Sequence, residues 1–505
     1  MKLKLIAAGY ALPDAHAPLE TDFAIVVDGA RIVAAGDRAE IQRAFPAAEI
    51  ERHDHMLLLP SFVNSHDHGR GLGTAALGIP DAILETWILG LRAQPAIPPY
   101  LAAAYDAARL LRGGVTATAH SHNPRDWRAL HAESLETVRG YRDAGIRVAF
   151  HPPIVDQNNL TYFDQAGFVE SLPDNLRPIG RGMLGLPPLA VDEYLSICTD
   201  LFERLHDADG CTVHVQVSPA GGQWCSDGLI AACAEWARAC GTRMQMHLLE
   251  TRFQRAYAQR AFGKSFPRHL DEIGALGPWT TLAHMVWADA EDFALLAERG
   301  VGVAHNPSSN LRLRSGIAPL AEMMRAGVQL GIGLDGHGLD DDQDYLREMR
   351  LARTLAVLKA SGAGEPSERD VLAMAMRGGA AVTFGPDCAM GVLAAGQLAD
   401  VVLIEPSEVM VWQFERGEAV QVLLTAATRE HVRHVLANGA WVVRDGACVG
   451  VDEAALLREI VGILRKSDDA GTGRVLDEAR RIAPLLERHF GRTIADGKPD
   501  SGSQA

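Results

Sequence analysis

The sequence predicts an α/β fold: a (β/α)8 TIM barrel carrying a small β-sandwich domain formed from both termini and a C-terminal helical extension. Three observations predict it. The 505 residues exceed what one compact core holds and suit a large barrel with a smaller module. The middle of the chain alternates short apolar runs with amphipathic stretches, which is the βα rhythm of a parallel barrel. β-rich segments stand on either side of that middle.

The N-terminal segment opens on KLKLIAA, then DFAIVV and ARIVAAG joined by Asp28-Gly29, a hairpin dipeptide. Its apolar stretch is too short for a signal peptide and reads as a first strand. Towards the other end, ADVVLIE (399–405) precedes HVRHVLA and AWVVRDG, joined by Asn438-Gly439. Isolated hairpins rarely stand alone, so residues 1–56 and 386–450 are expected to build one composite domain.

The barrel is expected over 57–385. Its strands read as LLLPSF (57–62), VTATA (115–119), RVAF (147–150), VHVQV (213–217), RMQM (243–246), TLA (281–283), VGVA (301–304) and VQLGIGL (328–334). Between them, stretches such as YLAAAYDAARLLRGG and LIAACAEWARACG have helical apolar spacing and a closing glycine. Eight strands is the count that closes a barrel. His66 comes four residues after the first run, and His120, His151, His247, His284, His305 and Asp335 directly follow theirs. Barrel strands all end on one face, so these residues should converge there. Residues 451–505 read as two charged helices packed on the barrel or on a partner subunit, with a polar tail, DGKPDSGSQA.

Composition narrows the partners. With 48 Lys+Arg against 64 Asp+Glu the formal charge is −16, which argues against nucleic acid or an anionic membrane as main partner. No stretch approaches the ~20 apolar residues of a membrane span. A small-molecule substrate is the expected partner, and a homo-oligomer is left open. The cysteines (Cys198, Cys211, Cys225, Cys233, Cys240, Cys388 and Cys448) are odd in number with no CxxC pair. They read as reduced thiols of a cytoplasmic protein.

His66-Asp67-His68 places two imidazoles two residues apart, and on an extended segment such side chains share a face. An isolated HxH is a weak signal. The apolar strand before it, the Asn64-Ser65 lead, and His247 and Asp335 at other strand ends strengthen it. Three neutral nitrogens and a carboxylate suit Zn²⁺ with an open position for water, with Fe²⁺ or Mn²⁺ as alternatives.

NSHDH after LLLPSF, MHLLET (246–251), LAHMVW (282–287), HNPSSNLRL (305–313), LDGHGLDDDQDYLREMRLA (334–352) and GVLAAGQLADVVL (391–403) carry a resemblance. Over roughly residues 1–450 the chain resembles the amidohydrolase superfamily, and within it the cytosine deaminase / chlorohydrolase-like branch of metal-dependent hydrolases. The resemblance implies that His66, His68, His247 and Asp335 hold the metal, that Glu250 shuttles protons, and that His284 steers water or substrate. It implies an enzyme acting on carbon–nitrogen bonds other than peptide bonds, with metal-bound hydroxide attacking an sp² carbon. Asp335 would accept the water's proton, Glu250 would protonate the ring nitrogen, and His284 would steady developing charge. Hydrolytic deamination of an amino-substituted N-heterocycle is the leading activity. Hydrolysis of an amide, urea, carbamate or carbon–halogen bond is the alternative, and a non-catalytic scaffold is remote because every ligand is present. Binuclear relatives bridge their metals with a carbamylated lysine. None of Lys2, Lys4, Lys264, Lys359, Lys466 and Lys498 follows a proposed strand, so one metal ion per chain is expected.

The pocket departs from the resemblance. Many deaminases of the branch carry a substrate-contacting histidine in an APH-like turn after strand four; here the turn reads Ser218-Pro219-Ala220-Gly221-Gly222-Gln223-Trp224-Cys225, with Ala220 in its place. Gln223 is a candidate to read a ring amide. Trp224 either stacks on a flat ligand or packs beneath its loop. His122 and His337 are further candidate contacts, as are Arg70 and Trp87 on a lid-length loop, 69–98. Asn306 and Asn310 are expected to tie down loop backbone.

Overall fold

A computed structural model describes residues 3–185, 189–207, 212–338, 340–360, 364–417, 419–467 and 469–495. Cys211 and the polar tail, 496–505, lie outside the described residues.

The barrel forms from two parallel four-strand sets. Phe62–Asp67, Val115–Ser121, Arg147–His151 and Val213–Val215 make the first. Met244–Leu248, Thr280–His284, Gly302–His305 and Gln329–Ile332 make the second. One seam is closed by Val217 bonding the fifth-strand backbone, N–H to Arg243 O at 3.2 Å. The other is closed by Asp335 N–H on His66 O at 2.9 Å. The strands are almost wholly buried, as expected where helices cover the outside and side chains fill the inside.

Two expectations need correcting. LLLPSF is not one barrel strand: residues through Pro60 finish a long strand, Glu49–Pro60, that pairs antiparallel with Val401–Ile404. Pro60 ends that run, and the first barrel strand starts at Phe62. Second, His66, His120, His151, His247, His284 and His305 lie inside their strands, not after them. The parallel ladder continues through them, pairing Leu248 with His284 and Ser121 with His151. These histidines are therefore held by sheet backbone.

Both chain ends contribute to one eight-stranded sheet, whose central neighbours are Val401–Ile404, Glu49–Pro60 and Lys4–Ala11. Alternation along these strands puts Ile6, Ile25, Leu58, Val401, Leu403 and Leu436 into one apolar cluster. The two hairpin turns touch: a Cβ on Gly439 (φ 71°) would fall 1.7 Å from Gly29 O. Sheet and barrel are joined by a buried fork, Arg147 Nε donating to Asp400 Oδ2 at 2.9 Å and its NH2 to Oδ1 at 3.0 Å.

The C-terminal helices pack on the same chain. Glu453–Leu464 sets Ile460 against Leu101 and Tyr105. Asp469–Ala495 lies on the helix Leu84–Leu91 and seats Phe490 4.9 Å from the Tyr162 and Phe253 rings. Among the described residues no helix is long and apolar enough to cross a membrane.

Candidate active site

His66 is near the end of the first barrel strand and His68 just past it, His247 sits in the fifth and His284 ends the sixth, with Asp335 beyond the eighth. The ligand atoms of His66, His68, His247 and Asp335 all lie within 4.8 Å of one another. Asp335 Oδ1 is 3.2 Å from His66 Nε2 and 3.1 Å from His68 Nε2, and His247 Nε2 is 3.3 Å from His68 Nε2.

The outer nitrogens decide what this means. His66 Nδ1–H donates to Gln245 Oε1 at 2.7 Å, His68 Nδ1–H to Ser121 O at 2.8 Å and His247 Nδ1–H to Ala220 O at 2.6 Å. Each neutral ring then carries its proton outside, and three Nε2 lone pairs face inward beside a carboxylate. Lone pairs packed that closely repel unless a cation lies between them, so the donor set fits a divalent ion. Against the effect of burial, its contacts with His66 and His68 hold the Asp335 carboxyl well below the usual range. Burial, with Arg70 nearby, pushes His68 down to about 4.

Glu250 and His284 complete the group. His284 Nε2 lies 3.8 Å from both Glu250 Oε2 and Asp335 Oδ2, with no hydrogen-bond partner of its own. Its Nδ1–H donates to Asn310 Oδ1 at 3.0 Å, which leaves Nε2 as an acceptor, and burial pushes the ring down to about 4. Burial, and then the charges of Asp335 and Glu85, raise Glu250 well above the ordinary carboxyl range, so it holds its proton. Ser315 Oγ donates to Glu250 Oε1 at 3.3 Å, and Glu250 N–H donates to Gln254 Oε1 at 2.9 Å. His284 (φ 79°) and Asp335 (φ 57°) are in the left-handed region, uncommon for non-glycine residues and costing ~1–3 kcal/mol each. Strain at those two strand ends marks a site held by its surroundings.

A model of the amidohydrolase family matches residues 57–442. The chain belongs to that family. The 8-oxoguanine deaminase of Pseudomonas aeruginosa is 35% identical over 305 residues, 58% of this chain and 66% of that protein. A 5-methylthioadenosine/S-adenosylhomocysteine deaminase of Desulforudis audaxviator is 28% identical over 465 residues, 90% and 96% of the two chains. Among solved structures, a zinc-bound adenosine deaminase from Xanthomonas campestris superposes with TM-score 0.77 at 25% identity, covering 92% of this chain and 98% of its own.

The other candidate contacts of this amidohydrolase divide. Arg70 and His122 line a cavity of about 680 Å³ that reaches His68. Gln223 is fully buried with both amide atoms unpartnered. Trp224 packs beneath its loop, where a Cβ on Gly221 would fall 2.7 Å from its ring. Trp87 is buried under Arg70, its Nε1–H donating to Thr74 Oγ at 3.3 Å, and His337 Nε2 meets that hydroxyl at 3.1 Å. Asn306 and Asn310 do not tie down loop backbone with their side chains; both amides face His284 Nδ1. Reading loops by composition missed this, because the partner is one strand away. The supporting residues Gln245, Ser309, Ser315 and Glu85 were also missed. Only Gln245 left a signal, a polar side chain in an apolar strand two residues before His247.

Proposed function

We propose that this chain hydrolytically deaminates an amino-substituted nitrogen heterocycle, using one divalent ion, Zn²⁺ foremost, at His66, His68, His247 and Asp335. The observation that carries the reading is the meeting of a proton-holding Glu250 and an unprotonated His284 nitrogen at that ligand cluster. A bound divalent ion supplies Lewis acidity that makes water nucleophilic near neutral pH. Asp335, kept anionic, accepts the proton of the attacking water. Glu250 delivers its proton to the ring nitrogen, and the proton that Asp335 took from the water goes to the amine, which leaves as ammonia. His284 offers a lone pair that orients the water's hydrogen.

The kinship with an 8-oxoguanine deaminase supports an oxidised purine as the ring. Gln223 fits such a ring, since its unpartnered carbonyl and NH2 match the adjacent N–H and C=O of a lactam edge. Ammonia release should be assayed on 8-oxoguanine, guanine, pterins and aminotriazines beside aryl amides, ureas and chlorinated triazines. A ring amine turned over with kcat/KM above ~10⁴ M⁻¹s⁻¹ is the expected result. Cleavage of an amide or carbon–chlorine bond with every ring amine refused would overturn it. Elemental analysis should find about one divalent ion per chain.

A further inference from the structure

A buried chain of hydrogen bonds leads from Asp106 to the wall of the 680 Å³ cavity. Asp106 is fully buried and takes a hydrogen bond from Gln343 on one oxygen. Tyr141 O–H donates to the other oxygen at 3.0 Å. With its proton committed there, the Tyr141 oxygen accepts from His120 Nδ1–H at 2.8 Å. His120, kept neutral by burial, must then present a bare Nε2, which accepts from His122 Nδ1–H at 3.2 Å. The last member is thereby left with a bare Nε2.

That nitrogen has no hydrogen-bond partner, and His122 is 5% exposed on the cavity wall. Across 3.6 Å stands Glu133 Oε2. The Glu133 carboxylate accepts the N–H of Arg125 at 3.0 Å and of Asp126 at 3.3 Å. Two acceptors facing one another across a gap lack the donor that would join them. A buried, unpaired acceptor costs ~1–3 kcal/mol, so a ligand that supplies the donor relieves a standing penalty.

We propose that His122, its tautomer set by the Asp106–Tyr141–His120 relay, is a specificity-determining residue that with Glu133 receives a hydrogen-bond-donating, hydroxyl-bearing substituent of the substrate. This rests on the reading that the ring amine binds at the metal cluster, with its substituent running along His68 into the cavity. His122 and Tyr141 act together here: one touches the substituent, and the other decides whether the first accepts or donates.

The test uses three 8-oxoguanine derivatives substituted at N9 with 2-hydroxyethyl, ethyl or carboxymethyl. Their affinities for the metal-loaded enzyme are measured calorimetrically at about pH 8. That pH lies above the value of about 7 to which burial raises Asp106, so the relay runs in the stated direction. The wild-type enzyme should bind the hydroxyethyl compound ~3–10-fold tighter than the ethyl one, the worth of one hydrogen bond. The carboxymethyl compound should bind weakest, because it brings a third acceptor. His122→Ala should erase the hydroxyethyl preference. Tyr141→Phe, which leaves His122 in place but cuts the relay, should reduce that preference with unchanged metal content. Equal affinity for the hydroxyethyl and ethyl compounds in the wild-type enzyme would overturn the proposal, as would a preference that survives both substitutions. The preference without ammonia release from any compound would sink the deamination reading and leave this one standing. Ammonia release without the preference would do the reverse.

Discussion

Glu250→Gln separates metal binding from proton transfer. Glu250 is fully buried and is not among the four clustered ligands, so the metal has no direct stake in it. A glutamine keeps the length, the volume and an oxygen able to accept from Ser315, and the backbone bond to Gln254 is untouched. What it lacks is a proton to give. A positioned general acid–base group contributes ~10²–10⁴-fold, which at ~1.36 kcal/mol per factor of ten is roughly 3–5 kcal/mol of barrier. The loss should fall on kcat, with KM moving little, since the removed interaction is made in the transition state. The assay pairs elemental analysis of the purified variant with steady-state ammonia release on the substrate the panel identifies. Metal content within error of wild type and kcat lowered at least a hundredfold is the expected pair. A variant that keeps both metal and near-normal kcat would refute the role given to Glu250. One that loses the metal would show that Glu250 supports the ligand cluster instead.

Three further outcomes follow from the geometry. Gln245→Leu removes the acceptor that orients His66, so metal affinity in a chelator competition should fall about 10–100-fold with the fold intact. Asp400→Ala removes the carboxylate paired with the buried Arg147 guanidinium, which keeps its bond to Asn438 Oδ1; urea unfolding should show a loss of ~3–5 kcal/mol. Glu348 takes hydrogen bonds from Ser308, yet burial pushes its carboxyl up to about 8. The unfolded chain ionises near 4.5 while the folded one holds the proton, so stability should decline as pH rises from about 4.5 to 8. Glu348→Gln should flatten that decline in denaturant midpoints measured across the range, and an unchanged slope would contradict the assignment.

The sequence by itself determined the barrel, the sheet shared by the two ends and the meeting of His66, His68, His247 and Asp335, because each rests on local rules. Apolar alternation marks strands, Asp28-Gly29 and Asn438-Gly439 mark hairpin turns, and histidines in phase with successive strand ends must meet when parallel strands close. Even there the first barrel strand was misplaced, since a continuous apolar run does not say which of two sheets it joins. Only the tertiary structure decided which way each imidazole faces. His66, His68 and His247 turn their lone pairs inward because Gln245 Oε1, Ser121 O and Ala220 O stand behind them. Asn310 stands behind His284 Nδ1, and burial with the charges of Asp335 and Glu85 raises the Glu250 carboxyl well above its ordinary range. Tautomer and protonation depend on partners brought together from distant strands and on the loss of water around them. Neither quantity is written in the spacing of residues along the chain.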